Sequence, residues 1–123
     1  VIDEIHRTWY VTLISSGYVC KFNLDTDELM DSVFVGNQPA LMDIDRENQI
    51  LYVSRFMPMP SMGMESSESQ LVHKINAVTM TILGTVDVGA SSPHGIALSS
   101  DGSTLWVASN EASRFFAIET TRF

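Results

Sequence analysis

Apolar and polar residues alternate along short runs that turn-forming residues interrupt. Trp9 to Ile14, Tyr18 to Leu24 and Leu29 to Val35 carry this two-residue period, as do Ile50 to Phe56, Leu71 to Asn76, Thr81 to Val88, Thr104 to Ser109 and Phe115 to Ile118. A period of two sends successive side chains to opposite faces of a strand. The runs are rich in Val, Ile, Thr, Tyr and Phe, which suit a pleated, half-buried surface. Two shorter strands, Leu41 to Ile44 and Gly95 to Leu98, each lead into a turn, and Asp101-Gly102 is a hairpin signal between apolar runs. No window of helical length sustains apolar spacing at three and four, so the pattern predicts an all-β protein.

The runs repeat. Asp3 to Thr12, Asp45 to Ser54 and Ser99 to Ala108 align so that Tyr10, Tyr52 and Trp106 share one position. The second interval is longer than the first. Ile2, Ile44 and Leu98 keep the same spacings upstream, while Phe22, Ile75 and Ile118 confine the extra residues to the stretch between Ser54 and Gln70. A unit of about 42 residues with four strands is the size of one blade of a β-propeller. The predicted divisions are a partial blade over 1–35, a full blade over 36–88 with an insertion at 57–69, and a partial blade over 89–123. A propeller closes with about 4 to 8 blades, so about two and a half blades predict an incomplete ring. The expected partners are further blades, from a longer parent protein or from copies of this chain, because open strand edges invite pairing.

Residue by residue, the repeat resembles the YVTN-type β-propeller proteins. Tyr10-Val11-Thr12 and Tyr52-Val53-Ser54 are similar to the strand that names the family. Thr85 to Gly89, followed by Pro93 to Gly102, resembles its crossing from blade to blade. The resemblance implies a binding or scaffolding module in a periplasmic or cell-surface protein, and such propellers also serve as parts of redox enzymes. The first two repeats depart from the pattern, with Glu4-Ile5-His6 and Glu47-Asn48 where the third has Asp-Gly, and Ala40 where it has His94.

Composition narrows the partners. Fifteen acidic against seven basic residues give a net charge of −8, which disfavours nucleic acid and anionic membranes and leaves cations and basic proteins. No apolar stretch approaches the ~20 residues of a membrane-spanning helix. The single cysteine, Cys20, has no partner for an internal disulfide and reads as a small buried hydrophobe. The first residues lack a signal-peptide pattern, and the missing initiator Met suggests a piece of something longer.

Candidate chemistry is sparse. Met57, Met59, Met62 and Met64 fall within the insertion, and closely spaced thioethers could converge on Cu(I), the one cofactor the residues suggest. The same residues also read as an adaptable apolar loop. His94 precedes an innermost strand, where it could contact a protein or small-molecule ligand, or serve as a hydrogen-bonded turn residue. His73 reads as a packing or solvent-facing residue. Asp25-x-Asp27 lacks the glycine and distal glutamate of a calcium loop and reads as a solvated turn. No phosphate loop, zinc-spaced set or nucleophile elbow is present, so no catalytic residue is predicted.

Overall fold

The computed structural model describes residues 1–36, 38–55, 71–89, 92–110 and 112–123. Among them, eleven strands form three antiparallel sheets. The first holds β1 (Ile2–Asp3), β2 (Thr8–Leu13), β3 (Tyr18–Asn23) and β4 (Leu29–Phe34). The second holds β5 (Pro39–Asp45), β6 (Ile50–Arg55), β7 (Leu71–Asn76) and β8 (Thr81–Asp87). The third holds β9 (Pro93–Leu98), β10 (Thr104–Ser109) and β11 (Phe115–Glu119), followed by a 3-10 turn at Thr120–Arg122. Within each sheet, every strand pairs with the next in sequence. In the shared register Tyr10 lies opposite Lys21, Tyr52 opposite Lys74 and Trp106 opposite Ala117.

Among the described residues, the sheets bury their faces against one another. Tyr10 and Val19 of the first pack on Ile44, Leu51, Val53 and Ile75 of the second. Tyr52, Val72 and Val88 of the second pack on Leu105, Val107 and Ile118 of the third. The first strands come closest, β5 against β9, with β2 of the first sheet reaching β5. Face-to-face sheets with their first strands innermost make a β-propeller, here two four-stranded blades and one three-stranded blade, an incomplete ring.

The inner strands begin earlier than their apolar pattern, at Pro39 and Pro93. Proline lacks an N–H but is accepted as the first residue of a strand. The turns also explain why two repeats manage without Asp-Gly. Gly102 takes φ +72° in the third, whereas Arg7 and Gln49 adopt φ 57° and 53° in the first two. Side chains support those turns. Asp3 Oδ1 accepts from the amides of Ile5 and His6, and Asp45 Oδ1 from that of Asn48. Between the third and fourth strands, Asn23 and Asn76 each accept from the amides two and three residues on. The same local device recurs at the same place in the repeat.

Candidate functional site

Three successive turns converge at one mouth of the central axis: those joining β1 to β2, β5 to β6 and β9 to β10. They line a cleft of about 610 Å³, with Ile5 and His6 from the first turn, residues 43–47 from the second and residues 98–102 from the third. Asp43, Asp45, Glu47 and Asp101 carry negative charge into it, against the single arginine Arg46. Most of these groups also hold the walls in place. Asp43 Oδ2 accepts from the Leu98 amide of the next blade at 2.7 Å, and Arg46 Nη2 donates to the Ile2 carbonyl of the preceding blade at 2.7 Å. Asp101 accepts from the Ser99 hydroxyl and from both the amide and hydroxyl of Ser103, which pulls its carboxyl down to about 2. Burial alone would raise the Asp3 carboxyl, but its hydrogen bonds and charge contact with His6 outweigh that and hold it below the usual range. His6 Nδ1 lies 2.7 Å from Asp3 Oδ2. The carboxylates are thus both structural and charged, and a hydrogen bond from a neutral donor does not remove their field.

His94 stands at the other end of β9, about 13 Å along the strand from the cleft. It is partly buried, and its carbonyl accepts from the Ser54 hydroxyl at 2.8 Å. The chain leaves β6 at Arg55, which pairs with Pro39 at that same mouth. Met57, Met59, Met62 and Met64 lie outside the described residues. Among the described residues, no group of three or more His, Cys, Asp or Glu side chains could hold a metal ion. Asp25 pairs with Arg7, and Asp27 accepts from the Trp9 indole at 3.1 Å, so the acidic turn is occupied by structural contacts.

Two buried groups are inert for a physical reason. Burial pushes the Cys20 thiol up, away from the reactive thiolate. Burial, with the Arg55 charge added, drives His73 down to about 4, so it is neutral near pH 7. Its Nδ1 has no hydrogen-bond partner among the described residues. Sequence reasoning missed the cleft, because its carboxylates come from separate repeats. The signal was the pair Glu47 and Asp101, which share one turn position in the second and third repeats, with Asp43 and Asp45 just before the first of them.

No protein-family model matches the chain, and no curated protein matches it. Solved structures do. The hydrazine synthase of Kuenenia stuttgartiensis is similar at a TM-score of 0.78 and 23% identity, over 94% of this chain and 30% of that one. The dihydro-heme d1 dehydrogenase NirN, in complex with DHE, is similar at 0.72 and 10% identity, over 92% of this chain and 22% of that one. A candidate 6-phosphogluconolactonase (BF1038) from Bacteroides fragilis NCTC 9343 is similar at 0.73 and 14% identity, over 97% of this chain and 33% of that one. At such identities the likeness is one of fold, and this chain spans a third or less of each of those proteins.

Proposed function

We propose that this chain is part of a YVTN-type propeller in a periplasmic or cell-surface protein, and that it binds without chemistry of its own. The acidic cleft at the first-turn mouth takes a basic segment of a partner protein. The observation that carries this reading is the convergence of three turns on one cavity with four carboxylates against one arginine. Such a surface attracts positive charge from a distance, and salt weakens it. The YVTN type is supported by what its namesake residues do: the tyrosines pack forward on the next blade, and Thr12 and Ser54 donate to its carbonyls at Ala40 and His94.

Titration with a lysine-rich peptide at low and high salt tests the reading. Binding at low salt that weakens with salt and falls several-fold in Glu47→Lys is the expected result. An acidic peptide bound as well as the basic one would overturn it. His94 is the contact we assign to the opposite mouth, for a small ligand, so His94→Ala leaves peptide binding at the cleft unchanged.

A second reading is that the parent is a redox or copper-handling protein. Two of the similar structures bear the names of a synthase and a dehydrogenase, and Met57, Met59, Met62 and Met64 supply soft donors. Cu(I) titration of the chain and of its quadruple Met-to-Leu variant tests this, and equal affinity in the two would end it.

A further inference from the structure

The two blade junctions are tied by residues at matching repeat positions. In the first, the Tyr10 hydroxyl donates to the Ala77 carbonyl at 3.2 Å and Lys21 Nζ to the same oxygen at 2.8 Å, while the Thr12 hydroxyl donates to Ala40 at 2.7 Å. In the second, Lys74 Nζ donates to the Thr120 carbonyl at 2.8 Å, the Ser54 hydroxyl donates to His94 at 2.8 Å, and the Tyr52 hydroxyl lies beside Thr120. Ala77 and Thr120 hold one repeat position, as do Met80 and Phe123, which pack on Tyr10 and Tyr52 respectively.

The third blade carries none of these donors on its forward face. Trp106 replaces the tyrosine, Ala117 the lysine and Ala108 the threonine or serine. That face is open. Trp106 is 47% exposed where Tyr10 and Tyr52 are 2% and 1%, and Phe115 is 74% exposed where Val19 and Val72 are 0%. The two aromatic rings lie 6.3 Å apart and tilted, over a shallow apolar surface that includes Gly95 and Ala97. Losing the lysine while enlarging the tyrosine to an indole exchanges polar contact for apolar area. One donor remains, the Trp106 indole N–H.

We propose that this face receives the backward face of a fourth blade through aromatic packing, with the Trp106 indole N–H replacing the Tyr-Lys pair at the fourth blade's third-strand turn carbonyl. The occupant follows from register, since every other residue at these positions is covered by the next blade's backward face. The inference stands apart from the ligand proposed for the cleft. This junction has fewer polar ties than the two before it, so exchange between blades is easiest here.

The repeat supplies its own test. Phe123 corresponds to Met80 and Asp27, so fusing residues 28–88 after Phe123 continues the third blade with a fourth strand and a complete further blade. With Trp9→Phe in both chains, Trp106 is the only tryptophan. Its fluorescence shifts to shorter wavelength and loses acrylamide quenching in the fusion but not in the 123-residue chain. Restoring the donors with Trp106→Tyr, Ala108→Thr and Ala117→Lys slows hydrogen exchange in the appended blade. Three results would overturn the proposal: Trp106 equally quenched in both chains, an appended blade that exchanges as if unfolded, or concentration-dependent protection in the 123-residue chain, which would make a second copy the occupant.

Discussion

A buried imidazole and a half-buried carboxylate show how single side chains set the stability of this fold. His73 takes up its proton only near pH 4 when folded, against an ordinary value of 6.5, because burial and the Arg55 charge disfavour the cation. Above pH 6.5 both states hold it neutral and its contribution is intact. Between 6.5 and about 4 the unfolded chain binds a proton that the fold refuses, so stability is lost as pH falls, by up to about 3 kcal/mol. Urea unfolding across that window shows the loss, and His73→Leu flattens it; an unchanged pH slope in the variant would contradict the assignment. Asp43 acts between blades, holding the Leu98 amide. Asp43→Ala leaves that partly buried N–H unpaired and costs about 1–3 kcal/mol, read from the urea midpoint at constant slope. Neither role was legible in the chain, because an alternating pattern shows which face a residue takes and not what the next blade places opposite it.

Strands and turns were far more legible. The two-residue period located the strands from β2 to β11, and in strands such as β2, β6 and β10 a packed face also fixes the register, which cannot slip without exposing it. The inner strands were read late at their starts, as Pro39 and Pro93 carry no alternation of their own. Turns at Arg7 and Gln49 gave no glycine signal because side-chain bonds from Asp3 and Asp45 support them. The junctions depend on elements rather than on isolated contacts. Lys74 ties β7 to the turn after β11 and its ammonium lies 6.0 Å from the Tyr52 ring. Lys74→Met keeps the stem and removes the charge, and costs about 1.5–3 kcal/mol for a charge-assisted bond. Hydrogen exchange that quickens in β9, β10 and β11 more than in β2 and β3 is the expected pattern. Uniform quickening would mean the blades do not dock as separate units.

At the scale of the whole molecule, a unit of about 42 residues builds sheets that no blade can complete alone, which is why the repeat positions share environments until the chain runs out of neighbours. The excess of acidic residues gathers partly at one mouth, where Glu47 and Asp101 share a turn position beside Asp43 and Asp45, and the apolar surplus remains on the forward face of the third blade. The fold was therefore visible in the spacing of Tyr10, Tyr52 and Trp106, while the cleft depended on how three distant turns meet in space. Hydroxyl-radical footprinting of the native chain, read by mass spectrometry at single residues, tests that account most directly. Tyr10 and Tyr52 protected, with Trp106 and Phe115 strongly labelled, is the predicted outcome. Equal labelling of Tyr10, Tyr52 and Trp106 would contradict a radial stack of blades.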